Sequence, residues 1–310
     1  MDRTFVSRWG RPTKALAVAC GLLILAGCGA GDVSGEQVAV DEQLGLDEDG
    51  LLLRQRQAEN LIAECMKGQG FQYVPVDPVA QRAAIVGSAG LSQEDFEKQF
   101  GYGITTLYEQ RLAQTGTGAN HDIRARLSEA DRAAYDRALY GDDPTATIAV
   151  ALDSGDLTRL GGCSQEATEK IFGGTAVLQT LQTKLDELDE KVFADPRMAK
   201  AIAKWSQCMR EAGYSGLSEP DEVDAVLEKK LEDIVGAPED RKAPVAGQEP
   251  DYDKEALTAL QGEEVAMVAA DIACEKKHLA DIEEEVTAEL EKEFREENAD
   301  LLSKMPSPPT

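Results

Sequence analysis

The sequence CMKGQGF at residues 65–71 recurs as CMREAGY at residues 208–214. In both copies a glycine stands five residues after the cysteine, and an aromatic residue follows the glycine directly. Glycine adopts the left-handed backbone conformation at little cost, so this pattern is typical of a helix that ends in a Schellman motif. The repeat therefore predicts two related modules, each with a cysteine in the last turn of a helix.

In a Schellman motif, each position that the two copies share has a defined role. If Gly70 is the left-handed residue, then Met66 and Phe71 are the pair that makes the hydrophobic contact across the helix end. The corresponding residues of the second copy are Met209, Gly213 and Tyr214. Core packing explains methionine and aromatic side chains at these positions more simply than a ligand site does.

One further cysteine follows each motif, and these four cysteines allow three pairings. The simplest pairing lies within the modules and joins Cys65 to Cys163 and Cys208 to Cys274. Disulfides that close loops of this size would each stabilise the fold by about 4–5 kcal/mol at most. The chain has no Cys-x-x-Cys pair, so a thioredoxin-like redox site or a zinc knuckle has no support.

The rest of the sequence predicts a mainly α fold of two disulfide-braced helical modules joined by long helices, with short extended segments. No segment alternates at period two, whereas apolar stripes at helical spacing mark a connecting helix after Cys163 and one long C-terminal helix from Val268 to Phe294. The predicted segments are a signal peptide (1–27), a flexible acidic tether (28–49), module 1 (50–175), module 2 with the connecting and C-terminal helices (176–304) and a disordered tail (305–310).

The N-terminal segment ends in Leu-Ala-Gly-Cys at residues 25–28, after four basic residues and an uncharged run from residue 15 to residue 26. This order is typical of a bacterial lipobox. The run is too short to span a bilayer, which takes about 20 apolar residues. We expect cleavage before Cys28 and lipidation of that cysteine, which would anchor the protein to the extracytoplasmic face of the cell membrane. The alternative is an ordinary secretory signal in which Cys28 is incidental.

The net charge of the chain restricts the classes of molecule that it can bind. The full sequence carries a net charge of −26, and removal of residues 1–27 takes away four basic residues and Asp2, which leaves −29 over 283 residues. Such a surface repels phosphate backbones, so nucleic-acid binding is disfavoured, and so is electrostatic binding to anionic lipids. The charge fits a body held off the membrane or a cation-rich partner.

No catalytic, metal-binding or cofactor-binding constellation stands out in the sequence. His121 lies in a Gly/Asn-rich loop, while His278 shares a predicted helix face with Cys274, which would serve as a nucleophile or ligand only as a free thiolate. The acidic runs at 47–49 and 283–285 are typical of solvated surfaces, and neither a Gly-x-Ser-x-Gly elbow nor a phosphate-binding loop is present. We therefore predict a protein without enzymatic activity and without a cofactor.

Several stretches resemble a group of actinobacterial secreted lipoproteins of unknown role that carry tandem Cys-Met-x-x-x-Gly-aromatic motifs. The stretches are ECMKGQGFQY (64–73), GYGITT (101–106), LSEADRAAYDRALYG (127–141), QCMREAGY (207–214) and VAMVAADIACEKK (265–277). The resemblance covers most of the chain after the signal segment. It implies a secreted, lipid-anchored helical protein and carries no catalytic or binding residues.

Three functions are consistent with these features. The first is a non-enzymatic envelope lipoprotein that binds another protein or a wall polymer through grooves between helices. The second is a solute-binding lipoprotein of a transporter, which a pocket lined by Phe71, Trp205 and Tyr214 would favour. The third is a hydrolase whose carboxylates converge only in the folded chain.

Replacement of the lipobox cysteine tests the predicted anchor. We expect the Cys28→Ala variant to leave the membrane fraction, because a diacyl anchor supplies the hydrophobic attachment. Cell fractionation and the intact mass of the protein measure this change. Unchanged membrane retention without an acyl mass on the wild-type protein would contradict the prediction.

Overall fold

A computed structural model describes residues 40, 44–46, 48–88, 91–114, 117–143, 159–237 and 251–307, and within them the chain forms thirteen helices and no strand. In chain order the helices are α1 (Glu48–Gly68), α2 (Pro78–Val86), α3 (Gln93–Phe100), α4 (Tyr108–Gln114), α5 (Ala119–Ala125), α6 (Glu129–Tyr140), α7 (Gly162–Phe172), α8 (Thr175–Ala194), α9 (Pro196–Glu211), α10 (Glu222–Val235), α11 (Lys254–His278), α12 (Ala280–Glu297) and α13 (Ala299–Leu302). The mainly α fold is confirmed. The predicted signal peptide, Cys28 and residues 29–39 lie outside the described residues.

Side-chain caps fix the starts of several helices. The Ser92 side chain accepts a hydrogen bond from the Asp95 backbone N–H at the start of α3, and Ser128 caps α6 in the same way. Asp195 caps α9, whose first residue is Pro196. These contacts satisfy backbone donors that have no partner within the helix itself, so short polar residues decide where each helix begins.

In module 1, helices α1 and α7 pack against each other in antiparallel orientation. The Cys65–Cys163 disulfide joins the last turn of α1 to the start of α7, with 5.6 Å between the Cα atoms. At the other end of the pair, the Arg54 side chain of α1 donates a 2.7 Å hydrogen bond to the Ile171 carbonyl near the end of α7. Covalent and polar contacts therefore hold both ends of this helix pair.

In module 2, the Cys208–Cys274 disulfide joins the last turn of α9 to α11, with 5.8 Å between the Cα atoms. The within-module pairing of cysteines is therefore confirmed for both modules. Helix α8 begins at Thr175, at the predicted boundary between the modules, and its buried face includes Leu181 and Leu188. The buried apolar residues of both modules belong to one contiguous core.

The repeated motif ends each of its helices as the sequence predicts. The Phe71 N–H donates to the Met66 carbonyl (2.9 Å) and the Gly70 N–H donates to the Lys67 carbonyl (3.0 Å). The same two bonds recur in the second copy, from Tyr214 to Met209 (2.8 Å) and from Gly213 to Arg210 (3.1 Å). Both glycines have positive φ, +84° and +100°, and both methionines are fully buried. These are the hydrogen bonds of a Schellman motif.

The buried carboxylate of Glu264 in α11 holds the turn that follows α3. It accepts hydrogen bonds from the backbone N–H groups of Ile104, Thr105 and Thr106, at 2.8–2.9 Å, and from the Thr105 hydroxyl. Gly101 lies against this side chain at φ +63°, and a Cβ there would come within 2.8 Å of the Glu264 Cγ. Only glycine therefore fits the left-handed close approach that brings the turn onto α11.

A second buried carboxylate, Asp271, links both modules. It accepts a 2.8 Å hydrogen bond from the indole N–H of Trp205 in α9 and a 2.5 Å hydrogen bond from the Tyr102 hydroxyl. Trp205 and Asp271 are fully buried. Burial of a charge is costly unless hydrogen bonds compensate it, so these two donors allow Asp271 to lie in the core.

Parts of the predicted tether and tail are packed instead of flexible. Val40 is 1% exposed and its N–H donates to Glu291 of α12, while Leu44 is 6% exposed. Met305 is also buried, and the Pro306 carbonyl accepts a hydrogen bond from Arg54. Their apolar and backbone groups find partners on distant elements, which local composition does not reveal. The predictions of a flexible tether up to residue 49 and of a disordered tail from residue 305 are wrong at these residues.

The predicted single C-terminal helix is also corrected, because α11 ends at His278 and α12 begins at Ala280. Leu279 at the junction has φ −116° and is buried. The apolar stripe continues across this residue, so periodicity alone does not show the break. No helix in the part of the chain described here is long and apolar enough to cross a membrane.

Removal of the Asp271 carboxylate tests its role in joining the modules. We expect Asp271→Ala to lower the free energy of unfolding by about 2–4 kcal/mol, because it leaves the buried Trp205 donor and the half-buried Tyr102 donor without their acceptor. Trp205 is the single tryptophan after residue 27, so its fluorescence follows urea unfolding directly. The exposed Asp281→Ala change removes the same charge and should cost less than about 0.5 kcal/mol. Equal effects of the two substitutions would contradict this role.

Candidate functional site

The structure does not bring the predicted ligand-pocket residues together as a pocket. Trp205 is fully buried, and its only polar group donates to Asp271. Phe71 packs in module 1, edge-on against the Tyr135 ring with 5.5 Å between the centroids. A ligand pocket lined by Trp205 together with Phe71 and Tyr214 is therefore not formed, because the Trp205 side chain is buried in the core.

Neither His278 nor His121 lies beside a free thiolate or in a metal-binding cluster of the described residues. The sulfur of Cys274 is bonded to Cys208, so it is not a thiolate that His278 could activate. His121 is exposed, and its Nδ1 lies 3.7 Å from a carboxylate oxygen of Asp122. Within the described ranges no group of three or more His, Cys, Asp or Glu side chains is placed to hold a metal ion.

An open depression of about 530 Å³ lies beside the first motif, on the surface of module 1. It is lined by Ala63, Glu64, Lys67, Gly70, Phe71, Gln72 and Tyr73. We refer to it as the motif-1 depression. Its lining combines aromatic rings, one carboxylate, one ammonium group and one amide, all presented by the end of α1 and the residues that follow it.

The Schellman turn at Gly70 ends α1, and residues 71–77 that follow belong to no helix or strand. The side chain of Asn120 binds the backbone of this segment at Val74: it accepts from the N–H and donates to the carbonyl, both at 2.8 Å. Asp77 then caps the start of α2. The wall of the motif-1 depression is thus fixed at both ends, although the segment belongs to no sheet.

A hydrogen-bonded pair of side chains lies behind this wall. One carboxylate oxygen of Glu59 accepts from the Tyr73 hydroxyl (3.0 Å) and from the Val76 N–H (2.9 Å). Burial raises the pKa of Glu59 above its ordinary value, and the two hydrogen bonds oppose that rise. Burial also raises the pKa of Tyr73, and the neighbouring charge of Glu59 adds to this effect.

Two tyrosines of α6 complete the cluster behind the depression. Burial raises the pKa of Tyr135 to about 12, and Tyr140 and the charge of Asp136 add to this effect. Burial also raises the pKa of Tyr140, and the charges of Asp136 and Glu59 add to it. Tyr135 is 2% exposed, and its hydroxyl has no hydrogen-bond partner among the described residues. All these shifts move the pKa values of the phenols further above neutral pH, so the phenols remain protonated there.

The chemistry of the depression therefore suits recognition. Neutral phenol and phenyl rings provide apolar contact area, and the polar ends of Glu64, Lys67 and Gln72 provide hydrogen bonds at its surface. A second depression, of about 220 Å³, lies between α8 and α12, but its lining is mostly the charged side chains of exposed helix faces. The motif-1 depression is the better candidate because it has aromatic residues and a fixed wall.

The sequence motif predicts a packing role for Phe71, but it does not identify Glu59, Tyr73 or the tyrosines of α6 as neighbours of the depression. The sequence contains a partial signal, because Tyr135 and Tyr140 lie in one helix and Tyr73 follows the motif by two residues. Their association depends on the packing of α6 beside α1. Comparison with protein-family models, with curated proteins and with solved structures gives no match to this chain.

The raised pKa of Glu59 predicts a pH dependence of stability. A carboxyl whose pKa is higher in the folded state favours folding below its unfolded pKa, and that contribution is lost as pH rises through the folded pKa. We therefore expect the wild-type protein to lose more stability than Glu59→Gln when the pH rises from about 4.5 towards 7. Urea unfolding followed by far-ultraviolet circular dichroism at several pH values measures the difference.

The matched control is Glu64→Gln, which removes the same charge from the same helix. Its comparison with the wild type separates the effect of Glu59 from the general repulsion among the many carboxylates of this acidic chain. If Glu59→Gln and the wild type show parallel stability curves across this pH range, burial of the Glu59 charge does not control its titration.

Proposed function

We propose that this protein is a lipid-anchored, extracytoplasmic envelope protein that acts by binding, without turnover, and that the motif-1 depression is its contact surface. The partner is a protein or a wall polymer of the cell envelope. The observation that carries the proposal is the open depression itself, which has aromatic walls held by Asn120 and by the Glu59–Tyr73 hydrogen bond.

Two features support the location. The lipobox at residues 25–28 predicts an anchor at Cys28. The Cys65–Cys163 and Cys208–Cys274 disulfides are of the kind that persists in oxidising compartments, outside the cytoplasm. Both modules carry such a bond, so each would be braced in that environment.

The shape of the site favours a large partner over a small solute. Sites for small molecules usually enclose about 70–90% of the ligand surface. The motif-1 depression is open to solvent, so a small solute bound there would remain largely hydrated, whereas a segment of a protein or polymer could lie across it. Aromatic residues such as Phe71 and Tyr73 are also enriched at contact surfaces between macromolecules.

The charge of the protein restricts the partner further. A net charge of −29 after residue 27 repels polyanions, so a neutral or cationic partner is favoured. Lys67 is the cationic side chain in the lining, and Glu64 lies beside it in the same helix. The depression can therefore pair with either sign locally, while the surface as a whole excludes nucleic acid.

Photo-crosslinking at equivalent positions of the two modules tests the proposal. Gln72 and Ser215 both follow the aromatic residue of a motif, and both are exposed. We expect a crosslinker in place of Gln72 to join the protein to one defined envelope component in intact cells, and the same crosslinker in place of Ser215 not to do so. Mass spectrometry identifies the component, and binding of purified protein to isolated cell-wall sacculi tests a polymer directly.

Two results would contradict the proposal. One is equal capture of the same material from both positions, because the contact would then not depend on the motif-1 depression. The other is turnover of peptidoglycan fragments, glycosides or esters that disappears when one carboxylate is changed to its amide in a variant of unchanged thermal stability.

A further inference from the structure

Both described ends of the chain meet at one buried side chain, Arg54 of α1. Its guanidinium donates to the carbonyls of Leu44 (2.6 Å) and Gly45 (3.0 Å), which precede α1, and to that of Pro306 (3.1 Å), which follows α13. Arg54 is 2% exposed and its guanidinium carbon lies 5.4 Å from the centre of the Phe172 ring. We refer to this set of contacts as the Arg54 clamp.

The Arg54 clamp and the motif-1 depression lie at opposite ends of α1. Lys67 lies thirteen positions after Arg54, which corresponds to about 20 Å along a helix axis at 1.5 Å per residue. The antiparallel partner α7 confirms the geometry, because its first turn is bonded to Cys65 and its last turn to Arg54. If the clamp end of α1 is held at a surface, the motif-1 depression therefore lies at the other end of the helix, away from that surface.

The fold holds the chain shortly before the clamp, which limits the distance to the predicted lipid. The Val40 N–H donates to Glu291 of α12, and Val40 lies four positions before Leu44 of the clamp. Eleven residues lie between Cys28 and Val40, so the Cα atoms of these two are at most about 40–43 Å apart in a fully extended chain. The clamp end would therefore stay close to the bilayer.

Leucines surround α1 at the clamp end. Leu51 and Leu53 are 39% and 38% exposed, and Leu52 lies between them with partial exposure. Successive helix residues are about 100° apart around the axis, so three consecutive leucines cover different sides of the first turns. Val74, the other large apolar residue with comparable exposure in the described chain, lies at the opposite end, beside the depression.

We propose that the Arg54 clamp end seats on the lipid surface through residues 51–53, with α1 directed away from the bilayer and the motif-1 depression facing the wall side. This inference rests on the proposed lipid anchor at Cys28. It places the binding surface where a wall polymer or another extracytoplasmic protein can reach it.

The free energy that the leucines can contribute is too small for membrane binding without the anchor. Complete burial of a leucine side chain is worth about 1.5–3 kcal/mol, and partial insertion of side chains that are already more than half covered gives only a fraction of that. Such contacts would not hold a free protein, but a short tether raises the local concentration to about the millimolar range. The chain after residue 27 carries a net charge of −29, so the favoured surface is uncharged lipid.

Depth-dependent quenching of tryptophan tests the orientation. The chain from Cys28 onward is coupled through the Cys28 thiol to a maleimide lipid, since the other four cysteines are in disulfides. The vesicles contain phosphatidylcholine with a brominated phosphatidylcholine as quencher. We expect Leu53→Trp to be quenched about twofold or more over Val74→Trp, because interfacial side chains lie about 5–10 Å deep. Trp205 is buried and provides a common background.

The outcomes separate this inference from the proposed anchor. Quenching of Val74→Trp equal to that of Leu53→Trp, or no quenching of either, would overturn the orientation, because the chemical coupling supplies an anchor whether or not cells acylate Cys28. Quenching of Leu53→Trp that is undiminished in a Cys28→Ala background would overturn the role of the tether. Replacement of part of the lipid by phosphatidylglycerol should weaken the quenching, and stronger quenching would contradict the expectation from the net charge. Circular dichroism confirms that both tryptophan variants fold.

Discussion

The antiparallel pair of α1 and α7 is held by a disulfide at one end and by a buried arginine at the other. The Cys65–Cys163 disulfide fixes one end covalently, and the buried Arg54 guanidinium fixes the other through carbonyls of three separate segments. Burial lowers the pKa of Arg54, yet the cation remains paired with four carbonyl oxygens and an aromatic ring. A buried charge is tolerated only when such partners are present, so the segments before α1 and after α13 must converge on it.

The same constraint operates in α11, where two carboxylates occupy the buried side of the helix. Glu264 fixes the turn after α3 through backbone N–H groups, and Asp271 binds one donor from each module, Tyr102 and Trp205. Fully satisfied polar networks in a core favour one arrangement over others, because a shifted register would leave the same groups unpaired. The two modules therefore share a single core with a defined relative position, even though their disulfides are independent.

The Arg54 clamp and the candidate binding surface lie at opposite ends of α1. Arg54 and the segments that precede α1 and follow α13 meet at the start of α1, while the motif-1 depression lies at its end, beside the disulfide that joins α1 to α7. The wall of the depression is held by hydrogen bonds, because the Schellman turn, Asn120 and Glu59 each satisfy backbone groups of the segment that forms it. Preorganisation of this kind lowers the entropic cost of binding, which matters for a shallow surface with few contacts.

The sequence by itself determined the helical class and the helix ends at both motifs, because these depend on local spacing: a glycine five residues after a cysteine, and a cap before an apolar stripe. It favoured one of three possible cysteine pairings, and the structure shows that pairing across 98 and 66 residues of chain. The sequence also contained an unused signal, since Arg54, Glu264 and Asp271 occupy positions on otherwise apolar helix faces. Their partners are carbonyls, N–H groups and hydroxyls up to 252 residues away, so no local pattern identifies them. Only the tertiary structure decided that Val40 and Met305 are buried, that the C-terminal helix breaks at Leu279, and that Tyr73 meets the tyrosines of α6. The physical reason is that local hydrogen bonds and periodicity fix secondary structure, whereas the burial of charges is resolved by groups that only folding brings together.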